Sequence, residues 1–250
     1  MTYKLLSRNG LVSVKSHWPG ATIPIYIDES HFSDKNVESI VSALREFHTK
    51  TCLRFKPYRK SDDNWVIITG NETGCWSSVG LQGKGGQQVN VAVPGCMRKG
   101  SVIHEILHAA GFLHQHSTWN RDQFISVLWD NIQQSKKQNF FRFMKTIVTD
   151  YNTTYDYSSV MHYGPKFFTK NGQPTIRVLN NLTVDIGQRE SFSELDIVKL
   201  NLMYNETCNE LEIFDESMTD LEWFRSLLVE EEKKSEKEEA EVCDDDQWLW

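Results

Sequence analysis

The stretch HEILHAAGFLH, His104 to His114, places histidines at intervals of four and six residues, with a glutamate beside the first and a glycine ahead of the last. Residues four apart in a helix lie one above the other, so His104 and His108 project from one face and can share a metal ion. Gly111 can take the left-handed conformation that ends a helix and turns the chain, which brings His114 toward the same ion from another side. Three neutral imidazole ligands with an open fourth position describe a catalytic zinc site, whereas a structural site is closed by four protein ligands. Glu105 is placed to take a proton from water and hand it to a leaving group. The order of residues predicts a hydrolase with one Zn2+ per chain, held by His104, His108 and His114.

With 8 histidines and 19 glutamates among 250 residues, an H-E-x-x-H match arises by chance about 0.02 times; adding the fixed Gly and His lowers this to roughly 3 in 100,000. Ordinary helix residues are therefore a poor account of the pattern.

At 250 residues the chain can bury a sizeable core, and its apolar and aromatic content excludes disorder as a whole. Its charge is uneven. Residues 210–250 carry 16 acidic and 4 basic side chains, a balance of −12, which leaves +5 on residues 1–209 against the total of −7. A mildly basic body with an acidic tail predicts a separate C-terminal segment, and so weak a positive balance gives no reason to expect nucleic-acid binding. No run of about 18 apolar residues occurs, so no membrane span is expected. The opening MTYKLLSRNG is too short and polar for a signal peptide, and is read as a trimmed or incomplete start. Two features nonetheless point outside the cytosol: N-x-[ST] sequons at Asn71, Asn152, Asn181 and Asn205, and an even set of cysteines, Cys52, Cys75, Cys96 and Cys208, once Cys243 of the tail is set aside.

TIPIYID (22–28) alternates as a strand does. After Ser33, an N-cap residue, Val37, Ile40, Val41, Leu44 and Phe47 recur at helical spacing up to Cys52. Strand-like runs follow at 53–58, 65–70 and 87–93, the last after the Gly-rich turn QGKGG. The metal helix is expected from near Ser101, a further helix over 131–144, loops over most of 151–188, and a last helix from Ser193, capped by Asp196 and carrying Leu195, Ile197, Val198, Leu202 and Met203. In the tail, residues 211–228 have helical spacing that suits either a docked or partner-binding helix or a weakly ordered extension, and EEEKKSEKEEAE is a solvated charge run.

H-E-x-x-H-x-x-G-x-x-H followed by a methionine turn, here SSVMHY at 158–163, is the metzincin signature. With GCWSSVG, QQV and YDYSSVMHYG in order, the chain from Trp18 to Cys208 resembles the astacin family of secreted zinc endopeptidases. The resemblance implies an α+β, two-lobed metzincin-like domain: an N-terminal lobe with a small mixed sheet and two long helices, and a C-terminal lobe mostly of loops with a final helix. It divides the chain into a propeptide remnant (1–8), a catalytic domain (9–209) and an acidic tail (210–250). It implies Glu105 as general base, Met161 beneath the metal, and Tyr163 as a zinc ligand that moves to donate to the oxyanion. His116 and His162 match no ligand position, and His17, His31 and His48 are expected at the surface or in packing. The implied disulfides are Cys75–Cys96 and Cys52–Cys208, the second closing a loop for which chain entropy gives roughly 5 kcal/mol. The implied partner is a protein or peptide substrate in extended conformation, paired with a strand edge near QQVNVAV. Lys166, Lys170 and Arg177 lie in the region that lines the primed side, which suggests a preference for acidic residues there. A secreted monomeric zymogen is the default expectation, with Cys243 available for an intermolecular disulfide.

Two positions depart from the family pattern. Gln115 stands where the family has a glutamate that pairs, through water, with the mature N-terminal ammonium; a neutral side chain cannot form that charge pair. Aligning on Trp18 puts the mature start near Asn9, after Arg8, and residues 1–20 hold no Asp or Glu to supply the aspartate with which the family's propeptide blocks zinc. The inhibitory part of any propeptide is therefore expected outside this sequence. The rival reading is a zinc-binding secreted protein, impaired in catalysis and acting through a partner. A matrix or reprolysin-type metzincin is disfavoured by the Tyr two residues after Met161 and by the cysteine arrangement.

Overall fold

A computed structural model describes residues 9–179, 183–205, 219–220 and 222–226. In chain order they form β1 (Gly10–Leu11), β2 (Thr22–Ile27), α1 (Asp34–Lys50), β3 (Arg54–Pro57), β4 (Trp65–Thr69), β5 (Cys75–Ser77), β6 (Gly86–Val91), α2 (Lys99–Ala110), β7 (Ile125–Val127), β8 (Val148–Thr149), β9 (Ile176–Val178) and α3 (Glu194–Met203). The expected propeptide remnant, Asn181, Cys208, Cys243 and most of the tail lie outside the described residues.

Alternation in β2 and β4 buries Ile23, Ile25, Val66 and Ile68, and the apolar face of α1, with Ile40, Val41, Leu44 and Phe47, packs in the same core. The sheet runs β3-β2-β4-β6-β5, parallel except where β5 meets β6. The strand expected to offer its edge, β6, is thus enclosed between β4 and β5, because GCWSS folds back antiparallel onto it; the edge belongs to β5. Cys75 and Cys96 are joined in a disulfide that ties β5 to the segment after β6.

The core divides in two. One cluster joins the sheet, α1, α2, Met161 and Leu200; the other gathers Ile125, Ile132, Phe140, Tyr155, Tyr163 and Ile176 in the C-terminal lobe. Met161 and Tyr163, two residues apart, therefore pack in different core clusters.

Residues 131–144 do not make the expected α-helix. Gln134–Phe140 forms 3-10 turns. Its polar run from Gln133 to Asn139 has no apolar stripe to bury, and of the aromatic pair that follows Phe140 is buried while Phe141 is 61% exposed. In α3 the buried residues include Asp196 and Lys199, while Val198 and Leu202 face outward. In the tail, Asp220 and residues 222–226 are helical, Trp223 meets the His48 ring edge-on at 4.7 Å, and Asp220 pairs with Arg45 at 2.8 Å.

Candidate metal centre

The helix α2 ends as its sequence requires. Gly111 has φ 111°, a left-handed value that L side chains rarely adopt, and its N–H and that of Phe112 close onto the carbonyls of His108 and Leu107 at 2.9 Å each. The reversed chain then delivers His114 to the face that carries His104 and His108.

The three imidazoles converge through their Nε2 atoms. His114 Nε2 lies 3.3 Å from that of His104 and 3.2 Å from that of His108. Zn–N bonds of about 2.0–2.1 Å in a tetrahedral site require N···N separations of about 3.3–3.4 Å, so the donor set fits zinc. The opposite nitrogens are engaged: His104 Nδ1 donates to the Val160 carbonyl at 2.8 Å and His108 Nδ1 to that of Phe112 at 2.7 Å, which leaves each Nε2 lone pair free for a metal. Burial holds all three imidazoles below their ordinary pKa, His108 at about 4, so they are neutral at physiological pH. Among the described residues these three form the only group of histidine, cysteine or carboxylate side chains with metal-binding geometry.

Glu105 is 4% exposed, its Oε2 accepts no hydrogen bond among the described residues, and burial raises its pKa to about 8. Arg189 opposes that rise. Its guanidinium, partly buried, donates to the His162 and Gln188 carbonyls and acts electrostatically on both Glu105 and Tyr163. The arginine reaches this position because Gly100 carries no Cβ: one built there would stand 2.2 Å from the Arg189 carbonyl carbon.

Tyr163 packs beside the third histidine, with ring centroids 4.4 Å apart, and stacks on His116 at 3.9 Å. Burial pushes its phenol well above the ordinary value, so it stays protonated. Met161 is fully buried, and its carbonyl accepts from the Gln115 N–H at 3.0 Å. His116 and His162 point elsewhere: His116 Nε2 lies 3.0 Å from the Asn139 carbonyl, and His162 is held between the Tyr163 carbonyl and the Tyr155 hydroxyl, each at 2.7 Å. Of the other histidines, His48 is buried and accepts from the Phe55 N–H at 2.7 Å.

Gln115, fully buried, accepts from Lys199 Nζ at 2.9 Å. The backbone of Asn9, where the resemblance puts the mature start, donates to Thr149 and accepts from Leu113, next to the third histidine. Sequence reasoning missed Arg189 and Lys199. A lone arginine in a loop carries no spacing signal, and a lysine within a helix reads as solvent-facing. Lys166, Lys170 and Arg177 are exposed, as are Asn71 and Asn205. Cys52 is disulfide-bonded.

The family model for Astacin, a peptidase family, matches residues 11–205. Seminal metalloprotease 1 of Drosophila melanogaster is 40% identical over 209 residues, which are 81% of this chain and 83% of that protein. Zinc metalloproteinase nas-8 of Steinernema carpocapsae is 38% identical over 199 residues, 79% of this chain and 47% of that protein. The chain spans about half the length or less of several curated relatives it matches. Among solved structures, the hatching enzyme zinc-protease High choriolytic enzyme 1 of Oryzias latipes (Medaka fish) is similar at a TM-score of 0.71 and 34% identity, covering 77% of this chain and 96% of that one.

Proposed function

The chain belongs to the astacin family of peptidases, and from that premise we propose that it is a zinc endopeptidase in which Glu105 acts as general base and then general acid. The observation that carries the reading is the convergence of three neutral Nε2 atoms at 3.2 and 3.3 Å beside a buried carboxylate on the helix that bears two of them.

His104, His108 and His114 would hold one zinc per chain, with Tyr163 as a further ligand. Bound zinc supplies Lewis acidity, making water a nucleophile near neutral pH and polarising a peptide carbonyl. Glu105, ionised beside the charge of the bound metal, would receive the proton of the attacking water and return it to the departing amine. Tyr163, kept as a neutral phenol, donates a hydrogen bond to the developing oxyanion. Met161 packs beneath the site. An extended peptide would add to the free side of β5, where main-chain hydrogen bonds hold it across the cleft between the lobes. Acidic residues after the scissile bond would suit Lys166, Lys170 and Arg177; peptide-library cleavage without acidic enrichment there would remove that reading.

Secretion, glycans at the sequons, a Cys52–Cys208 bridge and synthesis as a zymogen belong to the same proposal. The disulfide chemistry and the exposed sequons at Asn71 and Asn205 support it. The second reading, a zinc-binding protein without catalysis, rests on Gln115. Casein cleavage by the chain, with zinc content quantified and a chelator control, separates the two: chelator-sensitive cleavage with one zinc per chain is expected. One zinc without cleavage would shift the reading to the binding protein.

A further inference from the structure

The helix α3 turns two charged side chains inward, Asp196 at 1% exposure and Lys199 at 0%, while Val198 and Leu202 of the same helix stand more than 40% exposed. An ammonium inside a protein is costly unless it is paired and hydrogen-bonded, and a methionine of similar length would fill the same space without that cost. The placement therefore needs a reason beyond packing.

The partners of the two residues supply it. Asp196 accepts from Ser159 Oγ at 2.6 Å and from the Val160 N–H at 2.9 Å, and the Val160 carbonyl accepts from His104. Lys199, one helical turn on, donates to Gln115 Oε1 at 2.9 Å. Gln115 directly follows His114, and its N–H is bonded to the Met161 carbonyl at 3.0 Å. The turn bearing the third histidine is thus pinned at its backbone by Met161 and at its side chain by Lys199. Asp156, Asp196 and Asp150 act on the ammonium electrostatically and offset part of its desolvation.

We propose that Lys199 is a positioning residue of the metal centre: through Gln115 Oε1 it holds the turn that presents His114, and zinc affinity depends on that hydrogen bond. The proposal rests on the reading that the three histidines bind zinc, and it assigns α3 two grips on the site, one for His104 and one for His114.

The test measures zinc affinity of the purified chain by competition with a chromophoric chelator, together with the thermal midpoint of the metal-free protein, in K199M, K199Q, Q115M and the double variant Q115M/K199M. Loss of an outer partner of a metal ligand weakens binding by about 10- to 100-fold. K199M and Q115M should each lose zinc affinity in that range, the double variant should lose no more than the worse single one, and K199Q, which keeps a donor for Gln115, should recover most of the loss. K199M with a lower midpoint and unchanged zinc affinity would overturn the proposal, leaving Lys199 a residue of the fold alone. Should K199M not fold, Q115M decides in the same way, with zinc affinity equal to that of the parent chain as the refuting result. Tight zinc binding by the parent chain without peptide cleavage would refute the peptidase reading and leave this affinity comparison intact.

Discussion

His104 donates its Nδ1 proton to the Val160 carbonyl at 2.8 Å, and the Val160 amide in turn donates to Asp196 at 2.9 Å. A histidine of the proposed zinc site on α2 is thereby oriented by a carboxylate on α3, through one residue of the methionine turn. Asp196 also accepts from the Ser193 N–H at 3.1 Å, so its loss would leave several donors unsatisfied at once. Replacing Asp196 with alanine is expected to destabilise the protein by about 3–5 kcal/mol and to weaken zinc binding about tenfold or more. Urea unfolding with chelator competition measures both, and a variant with parent-like values for both would remove Asp196 from the chain of contacts.

Glu105→Gln isolates the proton-transfer role. The amide has nearly the shape of the carboxylate but cannot take a proton from water, so the variant is expected to keep its zinc and lose proteolysis by about 100-fold to 10,000-fold. Retention of full activity would exclude Glu105 as the base.

Tyr163→Phe removes the proposed oxyanion donor from a ring otherwise held by His114, His116 and Phe167. The expected loss is about 100-fold to 1,000-fold in kcat with KM little changed, since the hydrogen bond is made to charge that develops in the transition state. A rise in KM alone would assign the residue to substrate binding instead.

The helix α2 and the convergence of its two histidines with His114 were legible because chemistry and period coincide: the histidine spacing, Glu105 and the terminating Gly111 all speak for one element. The two-lobed α+β plan followed from that motif and the methionine turn, and the helical spacing from Val37 to Phe47 placed α1. Less was legible where tertiary context overrides local pattern. Residues 131–144 carry helix-compatible residues but no stripe that a core could bury. QQVNVAV reads as an edge only until GCWSS folds over it. The buried face of α3 joins Asp196 and Lys199 to Leu200 and Met203 while Val198 and Leu202 stay outside, because the two charged residues are drawn inward by partners 36 to 84 residues away in the chain. No local spacing reports such partners.

The docked tail segment makes a separable claim. Trp223 is 5% exposed against His48, and Asp220 is paired with Arg45, on α1 rather than among the residues of the metal centre. Trp223→Ala is expected to lower the melting temperature by a few degrees, since the segment can detach and limit the cost to about 1–2 kcal/mol. Cleavage of a short peptide should be unchanged. A loss of activity without a change in melting temperature would instead connect the segment to the cleft.

The buried histidines predict how the metal-free protein responds to pH. His104, His108, His114, His116 and His162 all have pKa values lowered by burial, His108 and His162 to about 4. The folded state therefore binds fewer protons than the unfolded state once pH falls below about 6.5, and stability is lost from there toward pH 4, by up to about 1.4 kcal/mol per pH unit for each histidine. Glu105 acts in the opposite sense. Its pKa is raised to about 8, so the folded state retains a proton that the unfolded state has released, and its contribution is lost as pH rises from about 4.5 to 8. Below about pH 7 the five histidines, still partly protonated in the unfolded state, outweigh it; above that it acts against their nearly constant background. Metal-free stability should then peak near pH 7, falling steeply on the acid side and gently on the alkaline side. Urea midpoints measured between pH 4.5 and 8.5 test this, and Glu105→Gln should flatten the alkaline limb while leaving the acid limb in place. A metal-free protein equally stable at pH 5 and pH 7 would show that the histidines are not buried in their neutral form.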